Sequence, residues 1–67
     1  MINIILNGES KEIQDNCNAT ILLQKLKITA KRLAIEVNEN ILPRSQFNIY
    51  VFKKGDKVEI VHAIGGG

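Results

Sequence analysis

The residues with the clearest capacity for chemistry are Gly65, Gly66 and Gly67, the last three in the sequence. They follow directly on residues 58–64, a largely apolar run of the kind that forms a β-strand. Glycine inside a regular element costs about 0.5–1 kcal/mol relative to alanine, so we expect regular structure to end near Ile64. The pattern predicts a thin, mobile peptide whose terminal carboxylate is open to another protein's active site. A frayed chain end is the other interpretation.

The remaining residues do not form a recognisable catalytic set. A catalytic site needs a nucleophile, a base and an orienting group, or a metal with enough ligands. The chain has one histidine, His62, and one cysteine, Cys17, so we expect no metal site. We interpret His62 as a rim residue of the last strand. Cys17 precedes a predicted helix, whose N-terminus could lower the pKa of its thiol, but an incidental loop thiol is the simpler interpretation than a sulfur relay. At turns and strand surfaces we expect solvated carboxylates, namely Glu36, Glu39, Asp56 and Glu59. We therefore expect a substrate or carrier rather than an enzyme.

Size, charge and composition restrict the function further. The chain has 67 residues, which indicates a single domain, and only 4% are aromatic, so the core must be aliphatic. The net charge of +2 is spread among lysines and acids, and we expect no nucleic-acid partner. No apolar stretch approaches the ~20 residues that span a bilayer, and the start of the sequence lacks signal-peptide features. With a single cysteine, these features predict a soluble, cytoplasmic protein.

The elements that must position the glycines begin with a hairpin and a helix. Apolar residues alternate over 2–6, Asn7-Gly8 is the strongest short hairpin signal, and a second strand is expected over 9–13. Asn18 is the predicted N-cap of the helix, with Thr20 as the alternative. The core-facing stripe of that helix is predicted to comprise Ala19, Leu22, Leu23 and Leu26.

Three further strands are predicted after the helix. Residues 33–37 alternate in the same way, and a brief strand over 41–42 is stopped by Pro43, which cannot donate to a ladder. Residues 44–48 are expected to form a helical turn. A tight turn over 54–56 then leads into the last strand, 57–63.

One helix can cover only one face of such a sheet. The order of elements predicts an α+β, β-grasp (ubiquitin-like) fold, with a mixed sheet of four to five strands and one main helix packed on one face. We expect a single domain over residues 1–64 and a flexible tail over 65–67. The uncovered face, with Ile5, Val61 and Ala63, and the strand end at Ile64 form the predicted partner surface.

The sequence resembles the ThiS family, the small sulfur carriers of thiamin biosynthesis. The resemblance is carried by residues 33–47 (LAIEVNENILPRSQF) and above all by 54–67 (KGDKVEIVHAIGGG), and it extends over nearly the whole chain. Phe47 stands where many members of the family have tryptophan, which preserves a packing role.

The resemblance implies a reaction cycle at Gly67. A ThiF-type enzyme would use ATP and Mg²⁺ to adenylate its carboxylate, and sulfur from a cysteine desulfurase or sulfurtransferase route would replace AMP to leave a thiocarboxylate. Thiazole synthase (ThiG) would then take that sulfur. Gly65 and Gly66 would thread into the partners' active sites, and the carrier itself would bind no cofactor and be a monomer when free. The small subunit of molybdopterin synthase (MoaD-type) and a β-grasp module that binds partners without covalent chemistry are the alternatives.

Overall fold

The computed structural model describes residues 1–29 and 32–62, which form a five-stranded sheet and one α-helix. The sheet order is β2-β1-β5-β3-β4, with β1 and β5 parallel and every other neighbouring pair antiparallel. The predicted α+β fold with a mixed sheet is confirmed. The elements are β1 (Ile2–Leu6), β2 (Glu9–Ile13), α1 (Ala19–Lys25), β3 (Leu33–Val37), β4 (Asn40–Leu42), a 3₁₀ turn (Arg44–Gln46) and β5 (Lys57–His62).

The hairpin between β1 and β2 is closed by the predicted Asn-Gly turn. Asn7 and Gly8 have φ angles of 48° and 85°, and the flanking residues Leu6 and Glu9 are paired in the ladder. Positive φ at both central residues is the type I′ geometry, which matches the twist of antiparallel strands. The turn therefore sets the register in which Ile13 reaches the core.

The helix has a defined boundary at each end. The Asn18 side chain accepts a hydrogen bond from the Ile21 N–H at 2.9 Å, which confirms Asn18 as the N-cap. At the other end Lys27 has a φ of 58°, its N–H donates to the Gln24 carbonyl, and the Ile28 N–H donates to the Leu23 carbonyl at 2.9 Å. This pair of bonds is the Schellman motif, which satisfies carbonyls that the helix itself leaves free.

The core lies between the helix and one face of the sheet. Three helix residues of the predicted stripe are buried, and Leu26 is partly buried against them. Ile5 and Val61, whose side chains lie on the opposite face, remain 37% and 53% exposed. The residues with the largest fully buried side chains are Ile4, Leu22, Ile35, Val58 and Cys17.

Two expectations from the sequence are wrong. Cys17 is a core residue, 1% exposed, rather than an incidental loop thiol, because the Phe52 N–H donates to its carbonyl at 2.9 Å and brings the loop before β5 over it. Asp56 is 6% exposed, although its position in a turn suggested a solvated carboxylate. Ala63, Ile64 and the three glycines lie outside the described residues, as does the predicted domain boundary at residue 64.

Candidate functional site

Strand β5 is the element that leads towards the glycines, and it lies in the middle of the sheet. On one side it pairs with β3 from Val58 to His62, and on the other with the end of β1. The Ile5 N–H donates to the Asp56 carbonyl at 2.9 Å. Because both neighbours hold it, β5 is a fixed base for the residues that follow.

The hairpin turn extends this support beyond the last residue of β1. The Asn7 N–H donates to the Val58 carbonyl at 2.8 Å, and the Asn7 side-chain oxygen accepts from the Ile60 N–H at 2.8 Å. Asn7 therefore serves both the type I′ turn and the ladder of β5, a second role that its position in the sequence does not indicate. The Ile60 N–H, 53 residues away in sequence, would otherwise lack a partner on that side.

The uncovered face of the sheet carries the described part of the predicted partner surface. Ile5 and Val61 lie on this face, but Val61 is four residues beyond Lys57, the β5 partner of Ile5. Glu59 lies between these positions on the same face. The structure thus puts the two apolar residues on one surface without making them neighbours.

A pair of carboxylates occupies the centre of that face. Glu36 of β3 is directly opposite Glu59 of β5, and both are half-buried. Exposed Ala34 is opposite Val61 one row further on, and Ile41 of β4, 71% exposed, is opposite Glu36. This pair is not evident from the sequence, because strand register decides which residues are opposite each other.

The beginning of β5 is held by the carboxylate of Asp56. It accepts hydrogen bonds from the Asn38 amide at 3.0 Å, the Tyr50 hydroxyl at 2.8 Å and the Lys53 N–H at 2.9 Å. Burial alone would raise the pKa of Asp56, but these hydrogen bonds and the nearby Lys53 charge favour the ionised form, and the net pKa is lowered. Burial, together with the hydrogen bond to Asp56 and its negative charge, raises the pKa of Tyr50 to about 12.

The other candidate residues offer little reactivity. Burial raises the pKa of the Cys17 thiol and outweighs the opposing effect of the Lys25 charge, which is the opposite of the activation that a sulfur relay would need. His62 is exposed at the end of β5. Over residues 1–29 and 32–62, no three His, Cys, Asp or Glu side chains are grouped as a metal site would require. No helix in the same residues is long and apolar enough to cross a membrane.

The five-stranded mixed sheet with one helix defines the chain as a β-grasp protein, and its central strand leads towards a glycine run. A sequence model of the ThiS family matches residues 4–67. The chain belongs to this family, whose members are sulfur carriers of thiamine biosynthesis.

Similar proteins support this assignment. The thiamine biosynthesis protein ThiS from Geobacter metallireducens is 33% identical in sequence, and its crystal structure superposes on this chain with a TM-score of 0.85. The match covers 98% of this chain and 100% of the Geobacter chain. The uncharacterized protein ycf40 of Porphyra purpurea is 36% identical over 98% of this chain and 93% of its own length. A thiazole synthase of Paramagnetospirillum magneticum is 33% identical over 98% of this chain, which spans only 20% of that enzyme.

Proposed function

We propose that this chain carries sulfur as a thiocarboxylate on Gly67 and donates it for the formation of a thiazole ring. The chain supplies the carboxylate, and partner enzymes carry out the chemistry. The observation that carries the proposal is the match to the ThiS family over residues 4–67, which includes the glycines at the end of the sequence.

The reaction requires activation because a carboxylate is a poor electrophile. A ThiF-type enzyme with ATP and Mg²⁺ joins the Gly67 carboxylate to AMP and releases pyrophosphate. The outer sulfur of a persulfide, which a cysteine desulfurase forms from cysteine, then attacks the carbonyl and displaces AMP. A thiol reduces the S–S bond of the resulting acyl disulfide and leaves the Gly67 thiocarboxylate. Gly67 leaves the carbonyl carbon open to this attack, and Gly65 and Gly66 allow a close approach of the tail to the walls of an active-site tunnel.

The fold is consistent with a carrier that supplies the carboxylate and is acted on by partner enzymes. The ladder on both sides of β5 holds the strand through Ile60, and the uncovered face provides the surface on which partners dock. In this proposal the docking surface comprises Ile5 and Val61 on the uncovered face, together with Ala63 and Ile64, which lie outside the described residues. Thiazole synthase is the proposed sulfur acceptor, because two relatives that contain a stretch similar to this chain are thiazole synthases.

The proposal is tested by intact mass spectrometry. The chain ending at Gly67 is incubated with a ThiF-type enzyme, ATP, Mg²⁺, a cysteine desulfurase, cysteine and a thiol reductant. We expect a mass gain equal to the replacement of one oxygen by sulfur, and no gain when ATP is omitted. An unchanged mass beside a control carrier that the same enzymes load would instead indicate a module that binds without covalent chemistry.

The acceptor is tested in a second step. The loaded chain is mixed with thiazole synthase and its small-molecule substrates, and we expect the mass to return to that of the carboxylate as sulfur leaves. The family match favours this acceptor over molybdopterin synthase, the alternative that the sequence left open.

A further inference from the structure

The strand at one end of the sheet, β2, has an outer edge that no other described strand covers. In the sheet order β2-β1-β5-β3-β4 it pairs with β1 alone. Alternate residues of such a strand direct their N–H and C=O groups away from the partner. Within the described part of the chain, the backbone hydrogen bonds outside the helix and the strand ladders include none of residues 9–13. The outer edge of β2 can therefore accept a further strand.

A groove lies along this edge, between β2 and helix α1. Its volume is about 290 Å³, at the lower limit of the pockets that enclose small-molecule ligands. The apolar part of its lining consists of Met1, Ile13, Cys17, Leu22 and Leu26. When a peptide adds a strand to an exposed sheet edge, main-chain hydrogen bonds hold it and pockets receive its alternate side chains. The open edge and the groove together provide both parts of such a site.

The charged side chains at the groove favour an acidic occupant. Lys11 of β2 and Lys25 of α1 line it, and Lys11 is half-buried. Neither lysine forms an ion pair with another described residue. Glu12 also borders the groove, but it alternates with Lys11 and Ile13 along β2 and so lies on the opposite face of the strand.

The end of the same chain is too far away to occupy the groove. Lys11 is opposite Ile4, and the pairing of β1 with β5 sets Ile4 at the level of residue 56, six residues before His62. That separation is about 20 Å along the strands, and two strand spacings add about 10 Å across the sheet. Residues 63–67 can span at most about 18 Å. The occupant must therefore come from another molecule.

We infer that this groove binds an extended segment of another protein, which adds a strand to β2 and carries an aspartate or glutamate beside aliphatic residues. The backbone of the segment pairs with the outer edge of β2, its acidic side chain meets Lys11 and Lys25, and its aliphatic side chains lie against the apolar lining. None of these residues belongs to the predicted partner surface, so the inference is independent of the proposed function. A protein bound here would leave the uncovered face accessible.

The test uses the whole chain and a capped peptide of sequence Asp-Thr-Ile-Thr-Ile, in which the aspartate and both isoleucines share one face. Binding is followed by NMR titration, and amide hydrogen exchange is measured with and without the peptide. We expect saturable binding and slower exchange of the outward N–H groups of β2, because the added strand covers them.

Two control peptides separate the charge from the backbone contacts. One has lysine in place of aspartate, which reverses the charge that meets the groove. The other has proline in place of each threonine, which removes N–H groups from the added strand. Both should bind at least about 10-fold more weakly than the first peptide.

Variants of the chain test the groove itself. Lys11→Glu should weaken binding of the aspartate peptide by about 10-fold or more and should favour the lysine peptide instead. Lys25→Glu, a change on the surface of the helix, provides the same test if Lys11→Glu does not fold. Lys54→Glu is the matched control and should bind like the parent, because Lys54 is exposed in the turn before β5 and does not line the groove.

Three results would overturn the inference. A folded parent chain that does not bind the aspartate peptide would mean that Lys11 only protects the edge of β2 against other strands. Equal affinity for the proline peptide would mean that no strand is added. Concentration-dependent dimers in which the outward β2 amides are already protected would mean that a second copy of the chain occupies the groove.

Discussion

Asp56 holds the beginning of the central strand through three hydrogen bonds that all favour its ionised form. The donors are the Asn38 side-chain amide in the turn after β3, the Tyr50 hydroxyl in the loop between the 3₁₀ turn and β5, and the Lys53 backbone N–H in the same loop. A single carboxylate therefore joins the turn before β5 to the β3–β4 turn. Its removal would leave the Asn38 amide and the Tyr50 hydroxyl without their acceptor.

We predict that stability depends on pH through this residue. The folded-state pKa of Asp56 is lowered, so its contribution is complete above the unfolded pKa of about 4 and is lost as pH falls through the folded value. The folded-state pKa of Tyr50 is raised to about 12, so its contribution is complete below about pH 10 and is lost as pH rises towards 12. Urea unfolding across the pH range should show both losses.

Asp56→Asn provides the control for that profile. The variant should be less stable than the parent by about 1–3 kcal/mol at neutral pH, because an amide cannot accept every bond that the carboxylate accepts. The difference should narrow in acid as the parent carboxyl group becomes protonated. A constant difference from neutral pH to acid would mean that the charge of Asp56 is unimportant. Tyr50 is the one tyrosine in the chain, so its titration can be followed directly by absorbance.

At the scale of elements, the end of helix α1 contains a conformational strain that can be removed. Lys27 has a φ of 58°, a region that glycine enters without cost and lysine does not. Relief of the left-handed conformation is worth about 1–2 kcal/mol, and the extra freedom of glycine in the unfolded chain costs about 0.4–1 kcal/mol, so we predict that Lys27→Gly stabilises the domain by up to about 1 kcal/mol in chemical denaturation. Lys25→Gly, two residues earlier and within the helix, should destabilise it by up to about 1 kcal/mol. Equal effects of the two substitutions would contradict the αL assignment of Lys27.

Local patterns were sufficient to predict most elements of this fold. Alternating apolar residues located β1, β3 and β5, and Asn7-Gly8 and Asn18 marked a turn and a helix start, because each of these signals acts over only a few residues. The burial of Cys17 and Asp56 could not be predicted in this way, since it depends on contacts with Phe52 and Asn38 far along the chain.

The same limit applies to the candidate site. The glycines and the apolar residues of the predicted partner surface were evident from the sequence. The assignment of those apolar residues as a docking surface stays a prediction. The Glu36–Glu59 pair was not identified, because a shift of one residue in the pairing of β3 with β5 would separate the two side chains. Register is a property of the assembled sheet.

At the scale of the whole molecule, we predict that folding and sulfur loading can be separated. Deletion of Gly67, or Gly66→Phe, should abolish the mass gain, because the first removes the residue that carries sulfur in the proposed function and the second adds a side chain to the segment that the proposal places in a partner's active site. Both variants should unfold in urea at the parent midpoint. Gly8→Phe is the converse control, because Gly8 has a φ of 85° and that substitution should lower stability. A lower midpoint for either tail variant would mean that the glycines contribute to the fold.

The central place of β5 also matters for any shortened form of the chain. A chain that ends at residue 56 contains the strand pairs β1–β2 and β3–β4 but lacks β5, so the edges of β1 and β3 that pair with β5 have no partner. Such edges invite aggregation or degradation. We therefore expect a chain shortened to residues 1–56 to aggregate or to be degraded, whereas β5 covers both inner edges in the longer chain.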